Sequence, residues 1–307
     1  MKEFRDKTAV ITGAASGIGR AIAERSAREG MKVVLADIEE KALAEAENEM
    51  KAGGAKVLAV PTDVSKAGEV EALAQKTLAK FGAAHLVCNN AGVGVAPKPL
   101  WETELSDWEW CLGVNLWGVI HGIRTFVPVM LRQNTEGHIV NVASVAGLLS
   151  LPYVAIYHAS KHAVVTITES LHYELALQNA KLRTSVLCPG WVGTRIMDCY
   201  RNRPAALGET KWQGPAVVAS MWEAYRQACE AGFPAEYVAE QVFHAIWHES
   251  LYILTTTDFN ELVTQRAGNI VAQRSPVLDA KLVEALGLTH QAVGAVAHAA
   301  SPGRVEN

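Results

Sequence analysis

At 307 residues, 50% hydrophobic and 20% charged, the chain has the make-up of an ordinary globular protein with enough apolar residues for a large core. A formal net charge of −4 offers no long-range attraction to nucleic acid or an anionic membrane, and no unbroken apolar run of about 18 residues predicts a membrane span. The scattered cysteines Cys88, Cys111, Cys188, Cys199 and Cys229 form no C-x-x-C pair, and the N-terminus, MKEFRDKTAVIT, lacks the apolar region of a signal peptide, so reduced thiols and a cytoplasmic location are expected.

From the start, strand-length apolar runs alternate with helical patterns: KTAVIT, GIGRAIAERSAREG, KVVLAD, EEKALAEAENEMKAGG, KVLAVPTDV. This alternation predicts an α/β protein with a parallel sheet covered by helices on both faces. It continues with the helix SKAGEVEALAQKTLAKFG, the strand HLVCNN, a long helix near WEWCLGVNLWGVIHGIRTFVPVMLRQ and the strand HIVNVAS. A helix carrying Tyr157 comes next, then the strand RTSVLCPG, a long segment from Arg195 to Pro234, the helix PAEYVAEQVFHAIWHES and the strand YILTTTD. Seven buried strands are expected in one domain over residues 1–258, with 195–234 as an insertion. A further helix from Phe259 to Arg274 opens a C-terminal extension, 259–307, whose Ala-rich end from about His290 is expected to be mobile.

The first strand runs directly into Thr12-Gly13-Ala14-Ala15-Ser16-Gly17-Ile18-Gly19. Glycines at a strand-to-helix switch permit a tight turn and let a pyrophosphate approach the free N–H groups of the next helix. The spacing is G-x-x-x-G-x-G rather than G-x-G-x-x-G, and a plain helix-entry turn is the alternative. Asp37 ends the second strand, where a carboxylate accepts hydrogen bonds from adenine-ribose hydroxyls and repels a 2′-phosphate. Ile38, Glu39 and Glu40 follow with no arginine, and Ser16 is uncharged, so NAD is expected rather than NADP. A capping aspartate at a helix start is the structural alternative for Asp37.

Between Ser144 and Lys161 the chain reads SVAGLLSLPYVAIYHASK, which puts Tyr157 and Lys161 on one helical face. An ammonium about 4 Å from a phenolate at an effective dielectric near 20 stabilises it by roughly 4 kcal/mol, about 3 pH units, bringing the tyrosine toward neutral pH. Ser144 is placed to hold a substrate oxygen while that proton moves. A solvent-facing tyrosine and lysine on an amphipathic helix is the other reading of the same spacing. His158 and His162 share the i, i+4 spacing of a metal pair, but no carboxylate ligand stands beside them and no metal is expected.

These motifs, taken in order, resemble the short-chain dehydrogenase/reductase family in its single-domain Rossmann form, from about Lys7 to Thr194. The resemblance implies that Asp63-Val64 lies at the adenine ring and that Asn89-Asn90-Ala91-Gly92 lines the cofactor cleft, with Asn90 bonding backbone there or merely shaping a turn. It implies catalytic roles for Asn115, Ser144, Tyr157 and Lys161, with Asn115 holding a water that links Lys161 to solvent. The loop Pro189-Gly190-Trp191-Val192-Gly193-Thr194 would receive the nicotinamide carboxamide, although Thr194 could instead cap the next helix. Residues 195–234 would lie over the substrate as a lid. Tyr153, Trp191, Tyr200, Trp212, Trp222 and Tyr225 either wall an apolar substrate or anchor that lid, or form a subunit contact.

The function expected is NAD-dependent interconversion of a secondary alcohol and a ketone on a bulky, apolar or aromatic substrate. The alternatives are an NADPH-dependent carbonyl reductase of 3-oxoacyl or polyketide type and a non-catalytic cofactor sensor. Small-molecule alcohols and ketones are the expected partners, and the family resemblance implies pairing through the long helices bearing Asn115 and Tyr157, as a homodimer or homotetramer.

Overall fold

Seven strands form a parallel sheet: β1 (Thr8–Thr12), β2 (Lys32–Asp37), β3 (Val57–Pro61), β4 (Leu86–Asn89), β5 (Gly137–Val142), β6 (Leu182–Cys188) and β7 (Tyr252–Leu254). A computed structural model describes residues 1–208 and 216–277, with side chains in the second stretch from 218 on; Trp212 and the tail from about His290 lie outside them. The spatial order is β3-β2-β1-β4-β5-β6-β7, so the winding reverses between β1 and β4. A crevice opens beyond the strand C-termini at such a reversal. Register brings Thr12 level with Ala36, Asp37 with Pro61, and Asn89 with Asn141, which collects the strand-end polar residues at one edge.

Strands β1, β4 and β5 are buried along their whole length, as apolar runs must be when helices cover both faces. On one face α1 (Gly17–Arg28), α2 (Glu40–Ala52) and α8 (Ala235–His248) pack through Ile22, Leu43, Val242, Phe243 and Ile246 against Ile11 and Leu35. On the other, α3 (Ala67–Phe81), α5 (Gly118–Gln133) and α6 (Ala155–Leu177) pack through Leu73, Phe126 and Leu171 against Val10, Val87 and Ile139.

The single long helix expected around Asn115 is interrupted. It consists of α4 (Leu105–Leu112), a π-helical turn over Gly113–Trp117, and α5. Leu105–Gln133 is long and apolar enough to cross a membrane by length and composition, but here it buries Val119, Phe126 and Met130 against the sheet.

The expected lid leaves and rejoins the sheet at one place. Val192 and Phe233 form a parallel bridge, Gly193 N donates to Phe233 O (2.9 Å) and Phe233 N to Trp191 O (3.0 Å). A Cβ on Gly232 would stand 2.5 Å from the Trp191 carbonyl carbon, so only glycine fits the stitch. Between these ends lie 3₁₀ turns at Ile196–Asn202 and Ala205–Leu207 and the helix α7 (Ala216–Glu230). The first half is hitched to α4 by a buried ion pair, Arg203 to Asp107 at 2.9 Å, with the guanidinium 5.3 Å from the Trp110 ring centre. Beyond β7, α9 (Asn260–Val271) buries only Leu262.

Candidate active site

A cavity of about 770 Å³ opens at the β1/β4 reversal and runs from Asp37 at one end, past Tyr157, to Trp191, Trp222 and Tyr225 under the lid. Its floor is the glycine turn. Gly13 and Gly17 have φ of +63° and +56°, which glycine adopts without strain. A Cβ on Gly19 would lie 2.2 Å from Gly13 O, so Gly19 serves close packing and is not on the cavity wall. Asn90 Nδ2 donates to Thr12 O (2.8 Å) and Gly13 O (3.2 Å), tying the turn to β4. Ser16 caps α1 without a side-chain hydrogen bond, and no acidic residue lies in the first turn, so that helix end suits an anion.

At the far end Asp37 accepts from Ala15 N (2.9 Å, Oδ2) and Glu39 N (3.0 Å, Oδ1), which leaves each oxygen a second lone pair. Asp63 forms a local turn, accepting from Ser65 N (2.9 Å) and Ser65 Oγ (2.7 Å), and Val64 packs against the bare Cα of Gly118. Asp63, Val64, Ile18, Asn90, Pro189, Gly190, Val192 and Thr194 all line the cavity. Thr194 comes to the glycine turn, 3.1 Å from where a Gly17 Cβ would be. This cradle, closed to any side chain at Gly13 and Gly19, with a carboxylate at the ribose end, fits a dinucleotide.

The catalytic cluster gathers where β5, β6 and α6 meet. Ser144 caps the turn Val145–Gly147 by accepting from Ala146 N (3.1 Å), and its hydroxyl hydrogen-bonds Tyr157. Lys161 is buried; its Nζ donates to Val142 O (3.0 Å) and stands 5.7 Å from the Tyr157 ring centre. Both residues thus share one helical face inside the crevice.

Their electrostatics reverse the expectation drawn from spacing. Apolar surroundings push the Tyr157 phenol above its ordinary range, the Ser144 hydrogen bond opposing this, and burial lowers Lys161 to about 8. For both groups the cost of burying charge is the dominant influence. With its pKa raised, the tyrosine holds its proton at neutral pH.

Asn115 is fully buried and does not face water. Its Oδ1 accepts from Val93 N (2.8 Å), and its Nδ2 donates to Val93 O (2.9 Å) and Ser160 Oγ (3.1 Å). It sits in the π-helical turn, behind the cavity wall, and holds the loop after β4 in place. Single-turn π-bulges recur at functional sites.

Of the three residues assigned to substrate, Trp191 is on the cavity wall, while Tyr153 and Tyr200 are not. Tyr200 spends its hydroxyl accepting from Ala96 N (2.9 Å) and stacks 5.2 Å from Trp110, so it anchors the lid. Tyr153, at φ +67°, packs beside Met221 and Tyr225. His158 lines the cavity with Nδ1 donating to Leu149 O (2.6 Å). The motifs gave no sign of Phe259, from the C-terminal extension, which reaches the cavity beside Gly190. Nor did they reveal Arg201, which crosses from the lid to Glu39 (3.0 Å) and supplies the guanidinium that the sequence near Asp37 lacks.

The profile of the short chain dehydrogenase family matches residues 7–204. A CLA biosynthesis dehydrogenase/reductase of Lactiplantibacillus plantarum is 37% identical over 279 residues, covering 90% of this chain and 97% of its own. A 1-deoxy-11-beta-hydroxypentalenate dehydrogenase of Streptomyces arenae is 38% identical over 71% of this chain and 78% of its own. Among solved structures, a short chain dehydrogenase/reductase from Burkholderia phymatum in complex with NAD is 47% identical. It superposes with a TM-score of 0.88 over 91% of this chain and 99% of that one.

Proposed function

This chain belongs to the short chain dehydrogenase family, oxidoreductases of alcohol and ketone groups, and from that premise we propose that it interconverts a bulky, apolar secondary alcohol and its ketone with NAD. The observation that carries the reading is the convergence of Ser144, Tyr157 and Lys161 on the same cavity as Asp37. When bound, the nicotinamide supplies the hydride acceptor and, when oxidised, a positive charge. Ser144 holds the substrate oxygen, and Tyr157 takes or returns the proton at that oxygen. Lys161 places a cation against the phenol, favouring its ionised form during that transfer.

NAD is supported by the carboxylates of Asp37 and Glu39 at the ribose end, which oppose a 2′-phosphate. A bulky, apolar substrate is supported by the wall of Leu149, Leu151, Val154, Trp191, Met197 and Trp222. An intact tyrosine–lysine pair weighs against a non-catalytic sensor. A homo-oligomer is supported by exposed apolar side chains: Leu105 and Trp117 along α4 and the π-helical turn, Tyr173 and Leu177 on α6, Tyr252 on β7. The free, buried cysteines suit a cytoplasmic setting.

A panel of secondary alcohols, run with NAD and NADP in parallel and followed by absorbance of the reduced cofactor, tests the reading. Turnover of apolar cyclic or aryl alcohols with NAD is expected. Turnover confined to NADP, or to small polar alcohols, refutes it.

A further inference from the structure

The lid crosses to the ribose end of the cavity. Arg201 Nε donates to Glu39 Oε1 at 3.0 Å, and Asn202 Nδ2 donates to the same oxygen at 2.9 Å. Asp37, Ile38, Glu39, Arg201 and Asn202 all line the one cavity, so the contact lies where an adenine ribose would sit. Glu39 is in turn fixed to the acid before it, its N–H donating to Asp37 Oδ1 at 3.0 Å. Arg201 brings to that place the group best suited to a phosphate, a planar fork of donors with a permanent charge.

We propose that Glu39 is a second determinant of cofactor choice, a positioning residue that occupies Arg201 and so withholds its guanidinium from a 2′-phosphate. This inference rests on the NAD reading and deepens it. The carboxylate acts twice, repelling phosphate itself and taking up the one edge of Arg201 that would bind it. The other edge is independently held: Arg201 Nη1 donates to Asp198 O (2.9 Å), in its own 3₁₀ turn, and to Arg195 O (3.3 Å), just before it. Neutralising Glu39 therefore leaves the guanidinium beside the ribose site without the carboxylate that offsets its charge, its Nε and Nη2 held only by a neutral acceptor that a phosphate outcompetes.

The test is direct titration of the full-length protein with NADH and with NADPH, read by nicotinamide fluorescence, for wild type, Glu39→Gln, Arg201→Gln and the double variant. Glu39→Gln is expected to tighten NADPH roughly 10-fold, the effect of one new charge-assisted contact, while NADH stays within about 2-fold. The gain is expected to vanish in the double variant. Equal weakening of both cofactors in Glu39→Gln marks a purely structural clasp and overturns the proposal. So does unchanged NADPH affinity, or a gain that survives without Arg201. Wild-type preference for NADPH refutes the NAD reading by itself and is read separately from these differences.

Discussion

The backbone N–H of Ala15 donates to Asp37 Oδ2 at 2.9 Å, so the acid facing the ribose end also holds the glycine turn against the tip of β2. Changing it therefore has two effects. Asp37→Ala with Ile38→Arg removes the repulsion of a 2′-phosphate and adds a cation, and is expected to raise the NADP-to-NAD ratio of kcat/KM at least ~10-fold. It also frees the Ala15 amide, so NAD binding weakens beyond the loss of ribose contacts. Steady-state kinetics with both cofactors check the first effect and isothermal titration the second.

Tyr157→Phe keeps the ring and deletes the proton. Turnover is expected to fall at least ~100-fold with the dissociation constant for NADH nearly unchanged. Substantial residual activity would remove Tyr157 from the reaction.

Asp107 and Arg203 are both buried, and their pairing attaches the lid to α4. Asp107→Asn strands a buried guanidinium and is expected to cost about 3–5 kcal/mol of unfolding free energy. Asp107→Leu with Arg203→Met is expected to recover part of that loss, because it leaves no stranded guanidinium, although Lys98, 3.6 Å from Asp107, then keeps only Glu104 as its carboxylate partner. Chemical denaturation of the three proteins measures both numbers.

His138, in the middle of the sheet, donates from Nε2 to Ser185 Oγ at 2.7 Å, because that hydroxyl gives its own proton to Ser250 O (2.6 Å). Burial lowers its pKa to about 3, and burial likewise lowers His158 to about 4. Unfolded, a histidine takes up a proton near pH ~6.5, so below that value the unfolded chain binds more protons than the folded one. The stability these two residues contribute is complete above about pH 6.5 and falls with pH by about 1.4 kcal/mol per unit for each, down to about 4 for His158 and about 3 for His138. Denaturation midpoints between pH 7 and pH 5 are expected to show this slope, and His138→Gln to flatten it by close to one proton.

The parallel order of elements was readable because buried strands and amphipathic helices differ in period, and each strand from KTAVIT to YILTTTD lies where its apolar run placed it. The glycine turn was readable for a different reason: only a close backbone approach calls for glycines at 13, 17 and 19. The break in the long helix left no mark, since Gly113–Trp117 carries no proline and the π-helical turn depends on Asn115 finding Val93 across the fold. Tyr200 and Trp191 look alike in sequence; one is fixed by Ala96 N and Trp110 while the other faces the cavity, a distinction made by tertiary contacts alone. The sign of the Tyr157 shift depended on burial, which a four-residue spacing does not reveal.

The stitch between Val192 and Phe233 makes the cap over the cavity a cassette. The chain enters and leaves it at adjacent points on the same scaffold, so its length and contents are free to differ while Tyr157, Lys161 and the glycine turn keep their places. A graft of a foreign cap between these two residues would transplant substrate preference onto an unchanged proton-transfer engine. The features such a graft must preserve are Gly232, and the Asp107 hitch on the body for a matching arginine to find.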